Sequence, residues 1–346
     1  MPKKLRIAQL APLWIPIPPR TYGGIELMLH HLTEELVRRG HNLTLFASGD
    51  SKTSANLVPI LEKAIWLDHE LKNIHASVMR MIKEVFDRFY EFDFIHNHFN
   101  FFMFPLSLRL DCPRFLTTVH RPVDAQYAEA MKAYNKASFV AISEDHKRSM
   151  ENLGVPVLDV VYNGIDHERY EFNDKPEDYL LYLSRLNREK GVLTAVEVAK
   201  AAGKKLIIAG NSAGNAEWSF FMHELQPLLN GDGISFRGQV NFEEKVALLK
   251  NASALLFPID RREPFGLVMI EAMACGTPVI AFRKGSVPEV VEHGKTGFVV
   301  DTKDEMTEVI SKISNINRKA CRERVEKNFT LKHMVDKYEE IYSKIA

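Results

Sequence analysis

Apolar residues along this chain come in two alternating rhythms. Short continuous runs, Leu5–Leu10, Asn42–Ala47, Phe94–His96, Arg114–Thr118 and Phe139–Ile142, read as buried strands. Longer stretches between them repeat at helical spacing. Glu26–Arg39 places Leu29, Leu32, Leu36 and Val37 on one face and stops at Gly40. Leu71–Phe89 does the same with Ile74, Val78, Met81, Ile82, Val85, Phe86 and Phe89. Ser143 is placed to cap a helix after the fifth run. Strand followed by helix, repeated, predicts a parallel sheet with helices on both faces.

The rhythm breaks at Asn163–Asp178, a polar, turn-rich stretch containing Pro176, and then resumes. Tyr179–Leu183, Lys205–Ala209, Gly233–Phe236, Ala254–Pro258 and Pro278–Ala281 read as strands. Val192–Ala202 and Glu243–Lys250 read as helices between them. A last amphipathic segment, Leu331–Ile345, carries Met334, Val335, Tyr338, Ile341 and Ile345 on one face. The expectation is two doubly wound α/β domains, residues 1–168 and 169–330. A length of 346 residues, at roughly 150 per domain, agrees with two. In such folds ligands sit at the carboxyl ends of strands, beside helix N-termini.

Composition narrows the function classes. Apolar residues make up 46% and charged residues 26%, as in ordinary globular chains. Lys plus Arg and Asp plus Glu both total 45. Neither half holds a basic excess: 19 basic against 18 acidic groups in residues 1–165, then 26 against 27. That argues against a nucleic-acid partner. Cys112, Cys275 and Cys321 are too far apart for a disulfide framework or a zinc motif, so reduced thiols and a cytoplasmic location are expected. Prolines at 12, 16, 18 and 19 break the helix that a signal peptide would need. No run of about 18 apolar residues exists to span a membrane.

Four segments carry candidate chemistry. In residues 252–281 a strand, a loop and a helix over Leu267–Cys275 follow one another, with Pro264 read as part of the first turn. Unpaired N–H groups around Gly266 and Leu267 form an anion site there, helped by the helix dipole. Glu263 precedes this terminus. Glu271 lies one turn inside, among apolar neighbours, where a carboxylate needs a partner. In Leu180–Gly191, Arg185 and Lys190 converge at one strand-to-helix crossing, a local cationic patch that the neutral total conceals. Tyr22–Glu26 holds Gly23 and Gly24, whose backbone lets a ligand approach closely. It lacks the GxGxxG pattern, which argues against a nicotinamide oxidoreductase. In Thr117–Arg121, His120 sits past the carboxyl end of a strand. His96 and His98 offer only two metal ligands, so no metal site is expected.

These segments, in this order, resemble the family 4 retaining glycosyltransferases. EPFGLVMIEAMACGTPVIA at 263–281 matches the family signature with its two glutamates eight apart. SRLNREKG at 184–191, YGGIE at 22–26, TVH at 118–120, NGID at 163–166 and GSVPEVVEHGKTGFVV at 285–300 follow the family pattern. The resemblance implies a GT-B-type fold: two Rossmann-like, doubly wound domains facing across a cleft. The first would shape the acceptor site, the second would bind a nucleotide-sugar donor, and the final helix 331–346 would cross back to the first. Carried over residue by residue, Arg185 and Lys190 bind the diphosphate and Glu271 the ribose hydroxyls. Glu263 and His120 bond the transferred sugar. Gly23 and Gly24 approach the diphosphate, Phe265, Gly266 and Leu267 contact sugar or phosphate, and the backbone around Gly238 and Val240 meets the base. Glu289 matches a family position, but Ser286 and Glu289 also read as a capping box. Asp260–Arg261–Arg262 departs from the family in placing two cations before Glu263.

The implied reaction moves a hexose, by default glucose from UDP-glucose, to an acceptor hydroxyl of a small molecule, glycan or glycolipid. Retention is expected through a front-side path in which the leaving phosphate helps deprotonate the acceptor. No cofactor and no metal are expected, and no DxD-type motif stands out. A sugar-nucleotide epimerase would act without acceptor, and a non-catalytic nucleotide-sugar sensor would be expected to lack His120 or Glu263. Glu70–Phe92 balances Lys72, Arg80, Lys83 and Arg88 against Glu70, Glu84, Asp87 and Glu91, so membrane association is not favoured.

Overall fold

A computed structural model describes residues 4–21, 23–68, 70–109, 114–212, 214–229 and 233–345. The chain forms two compact units. Unit 1 comprises Met1–Gly164 with Leu331–Ala346, and unit 2 comprises Ile165–Thr330. The division falls at 164/165, four residues before the boundary read from the turn-rich stretch.

Unit 1 is a seven-stranded parallel sheet. Its strands are β1 (Arg6–Leu10), β2 (Asn42–Ser48), β3 (Asn56–Leu61), β4 (Phe94–Asn97), β5 (Arg114–Thr118), β6 (Ser138–Ala141) and β7 (Asp159–Val160), in the spatial order β3-β2-β1-β4-β5-β6-β7. Helices α1 (Gly24–Arg38), α2 (Ile74–Asp87), α3 (Ala125–Ala133) and α4 (Glu144–Glu151) connect them, with a 3-10 segment over Asn100–Leu108. Both sheet faces are covered, so strand residues are apolar in succession and alternate between two cores. Ile7, Leu45, Phe94 and Leu116 face one core. Their neighbours Ala8, Phe46, Ile95 and Phe115 face the other. The strand β3 has no counterpart in the sequence reading. Its Pro59 argues against a strand, yet β3 is an edge strand, where a missing N–H costs little.

Unit 2 is a six-stranded parallel sheet: β8 (Leu180–Leu183), β9 (Leu206–Ala209), β10 (Ile234–Phe236), β11 (Ala254–Phe257), β12 (Val279–Phe282) and β13 (Gly297–Val300), in the order β10-β9-β8-β11-β12-β13. Its helices are α5 (Val192–Ala201), α6 (Gly214–Phe220), α7 (Phe242–Asn251), α8 (Leu267–Ala274), α9 (Val287–Val290), α10 (Lys303–Ile310) and α11 (Arg318–Asn328). Asn241 and Glu244 close a reciprocal capping box at the start of α7. The chain then returns to unit 1 as α12 (Leu331–Ile345), burying Met334, Val335, Tyr338, Ile341 and Tyr342 in the core that holds Ile7 and Phe94.

Strand order reverses direction between β1 and β4 in unit 1, and between β8 and β11 in unit 2. At such points the connecting loops splay apart at the carboxyl edge and leave a crevice. Among the described residues no helix is long and apolar enough to cross a membrane.

Candidate functional site

In unit 2 the candidate residues gather at the reversal point. Beyond β8 the chain runs through Arg185 to Asn187, whose side chain accepts from the Lys190 N–H at 3.0 Å and sets a 3-10 turn. Gly191 then takes a left-handed backbone (φ 76°). A Cβ there would lie 2.0 Å from the Pro258 carbonyl oxygen, so only glycine lets the turn close on the end of β11. This close approach brings Lys190 to the loop after β11. Lys190 is buried, and its Nζ donates to Glu263 Oε2 at 2.7 Å. Burial lowers the Lys190 pKa and the Glu263 carboxylate opposes that shift.

The loop carrying Glu263 is gripped from its other side. A Cβ on Gly285 (φ 57°) would lie 2.3 Å from the Glu263 carbonyl oxygen. The Ser286 N–H donates to that carbonyl at 3.0 Å, and Ser286 Oγ donates to the Phe265 carbonyl at 2.7 Å. The capping box read at Ser286–Glu289 is therefore not formed: the Ser286 hydroxyl is spent on the Glu263 loop, and its backbone is already helical. The first turn of α8 also differs from the sequence reading. The helix begins at Leu267 with Gly266 as its cap residue (φ 81°), so Pro264 lies outside it, buried in the loop. No side chain caps this terminus, which leaves its N–H groups unclaimed by side chains. Phe265 is buried with its ring edge-on to Phe329.

Glu271, inside α8, is buried and does have the partners that its apolar setting demands. Its Oε1 accepts from Tyr170 Oη at 2.8 Å and from Lys245 Nζ at 2.6 Å. Neither partner was legible as such. Tyr170 lies in the stretch read as a linker, and Lys245 reads as an ordinary polar position of α7. Each of the two glutamates thus has one oxygen anchored, Oε2 of Glu263 and Oε1 of Glu271. The other oxygen of each makes no hydrogen bond to a described residue.

The remaining cations are more loosely held. Arg185 lies 3.7 Å from Glu217. Arg261 pairs with Glu189 at 2.5 Å and lies 4.0 Å from Glu263. Glu189, next to Lys190 in the chain, is thus taken by Arg261. Gly238 (φ 73°) accepts from the Gly210 N–H at 2.9 Å, and half-buried Val240 precedes the cap of α7.

In unit 1, Gly23 takes φ 155°, and a Cβ there would meet Pro19 at 2.8 Å and Glu26 Oε2 at 3.0 Å. The glycine is needed first for its own chain to pack. Gly24 opens α1, and Tyr22 lies outside the described residues. Glu26 in the first turn of α1 is buried, which pushes its pKa up to about 7. His120, half-buried beyond β5, has its Nε2 3.0 Å from His98 Nδ1. Burial pulls the His120 pKa down to about 3. His96 is fully buried, with Nδ1 on Tyr342 Oη and Nε2 on Thr118 Oγ1, both at 2.8 Å. No three His, Cys, Asp or Glu side chains among the described residues group as metal ligands. Cys275 and Cys321 are free and buried, both pushed up to about 12, and Cys112 lies outside the described residues.

Two family descriptions match the chain. "Glycosyl transferases group 1" covers residues 165–329 and "Glycosyltransferase Family 4" covers residues 22–169. The N-acetyl-alpha-D-glucosaminyl L-malate synthase of Bacillus anthracis is 29% identical over 224 residues, 58% of this chain and 56% of that one. Sucrose-phosphate synthase from Thermosynechococcus elongatus superposes with TM-score 0.84 at 19% identity, over 99% of both chains. Anabaena Alr3699/HepE in complex with UDP and glucose superposes with TM-score 0.77 at 18% identity, over 98% of this chain and 99% of the other.

Proposed function

Because the chain belongs to the family 4, GT-B-type glycosyltransferases, we propose that it moves a hexose from a nucleoside diphosphate sugar to an acceptor hydroxyl. The anomeric configuration is retained, and no metal or other cofactor takes part. UDP-glucose is the first-choice donor, supported by the UDP and glucose in the Anabaena structure. The observation that carries the reading is the pair of half-anchored glutamates. Lys190 holds one oxygen of Glu263, and Tyr170 with Lys245 hold one oxygen of Glu271. Each carboxylate is fixed in place with an acceptor left over, which is what two sets of sugar hydroxyls require.

The barrier in such a transfer lies in parting a sugar cation from a diphosphate anion. Lys190, Arg185 and the uncapped terminus of α8 at Gly266 and Leu267 supply positive potential fixed in advance of the reaction. Burial of Lys190 strengthens its field at short range. Glu263 keeps the ammonium charged despite that burial and offers its free oxygen to the transferred sugar. Glu271 takes the ribose, and Gly238 and Val240 present backbone groups to the base. In unit 1, His120 bonds the sugar, and the turn at Gly23 and Gly24 serves the diphosphate.

The test is nucleotide release from a panel of nucleoside diphosphate sugars, followed by an acceptor screen with the best donor. UDP-glucose should turn over fastest, with the product anomer matching the donor and activity surviving EDTA. Lys190→Ala and Arg185→Ala should each lower turnover about 10²–10³-fold, and Glu271→Gln should weaken binding of the nucleotide product. No release from any donor overturns the reading. Product of inverted configuration overturns retention alone.

A further inference from the structure

The transferase reading uses His120 but not the buried groups behind it. These lie at the reversal point of the unit 1 sheet, where β1, β4 and β5 end side by side. Gln9 on β1 is fully buried and His98, just past β4, nearly so. Gln9 Oε1 lies 2.8 Å from His98 Nε2, and His98 Nδ1 lies 3.0 Å from His120 Nε2. The His98 and His120 rings stack at 5.3 Å with 22° between planes. Three side chains therefore form one line from the sheet interior to the partly exposed His120.

Burial holds the His98 pKa well below that of an ordinary histidine, and His120 stays neutral to about 3. The titratable neighbours do not change this. Both ring nitrogens of His96 are occupied, by Tyr342 and Thr118. His146 is itself held down to about 4 and donates from Nε2 to the Arg121 carbonyl at 3.1 Å. A neutral imidazole has one N–H and one lone pair, and the bond at one nitrogen decides the state of the other. The carbonyl oxygen of Gln9 accepts, so His98 donates from Nε2 and keeps its lone pair on Nδ1. His120 must then donate from Nε2 to that lone pair. Its own Nδ1, which has no partner among the described residues, is left as an acceptor.

We propose that His98, oriented by Gln9, is a positioning residue that fixes His120 in the Nε2-protonated tautomer, so that Nδ1 accepts a hydroxyl hydrogen of the transferred sugar. The second half rests on the transferase reading, whereas the tautomer itself does not. The arrangement makes one sugar hydroxyl obligatory as a donor. A ligand group that can only accept meets a lone pair and is rejected.

The test is long-range 1H–15N correlation on the full chain labelled at histidine, with the His120 signals assigned through His120→Gln. His120 should show a protonated Nε2 and an unprotonated Nδ1 between pH 5 and 8. Gln9→Leu removes the acceptor that sets the relay. It should mix the two His120 tautomers and lower kcat about 10–100-fold, with donor KM and nucleoside diphosphate affinity changed far less. Gln9→Glu restores an acceptor at the same place and should recover both the tautomer and most of the lost kcat. A protonated Nδ1 on His120 in the unaltered protein overturns the proposal. So does a Gln9→Leu variant whose tautomers mix while kcat stays level. If Gln9→Leu does not fold, the unaltered spectrum and the Gln9→Glu pair still decide. An unaltered protein that turns over no donor, yet shows the expected tautomer, fails the transferase reading and leaves the relay standing.

Discussion

A single missing Cβ governs the unit 2 site. Gly191 is left-handed and faces the Pro258 carbonyl at a distance that no side chain tolerates. Gly191→Ala should cost about 1–2 kcal/mol for the backbone alone, with the clash adding to it. It should also push Lys190 away from Glu263, so turnover should fall along with the urea midpoint. A variant that loses neither would show that the turn is not what places the lysine. The residues assigned to this site were legible as candidates because they sit in dense local motifs: Glu263 and Glu271 eight apart, Lys190 just before a glycine. Their partners were not. Tyr170 and Lys245 reach Glu271 from segments far away in the chain, and local pattern carries no record of packing between elements. Gly23 was legible as a glycine that matters, but its reason was not. The neighbour that requires it is Pro19 of its own chain.

At the scale of elements, one guanidinium of α11, that of Arg318, gathers acceptors from the end of α7 and the loops around it, beside the bonds of Arg322 and Arg324 on the same helix. Arg318 donates to the Asn173, Lys250 and Ala252 carbonyls at 2.6, 2.7 and 2.9 Å and to Thr277 Oγ1 at 2.7 Å. Arg318→Leu leaves these buried acceptors bare and should cost at least about 3 kcal/mol by urea unfolding. Arg318→Lys should recover less than half, because an ammonium cannot span a fork of acceptors. A loss under 1 kcal/mol in the leucine variant would mean that water replaces the guanidinium. The alternation of strands and helices was readable throughout, since a sheet covered on both faces writes unbroken apolar runs into its strands. The exceptions have local causes. Pro59 masks the six-residue edge strand β3, β7 has only two residues, β13 is short and begins with a glycine, and the 3-10 segment at Asn100–Leu108 follows neither period. The helix α12 was legible along its whole length, because its buried face repeats at helical spacing.

For the molecule as a whole, unit 1 holds buried groups with opposed titrations. Unfolded histidines take up a proton near 6.5, while folded His120 resists to about 3 and His146 to about 4. Below 6.5 the unfolded chain therefore binds more protons, and acid draws it open. His96 and His98 are shifted in the same direction. Glu26 works the other way. It keeps its proton to about 7 when folded and releases it near 4.5 when unfolded, so its contribution grows as pH falls through that window. Each group is worth up to about 1.4 kcal/mol per pH unit, and four histidines outweigh one glutamate. The urea midpoint should fall from pH 7 to pH 5, and Glu26→Gln should steepen the fall. A midpoint that rises on acidification would contradict this balance. The interrupted path of unit 1 also sets a timetable. Strands β1–β7 leave the ribosome first, but α12 emerges only after the 166 residues of unit 2. At about 5–20 residues per second that is a wait of roughly ten to thirty seconds. Through it the nascent half-protein keeps an apolar face around Ile7 and Phe94 without its last cover, and His96 without Tyr342. The part made first is finished last, and until α12 docks that apolar face is open to misassembly.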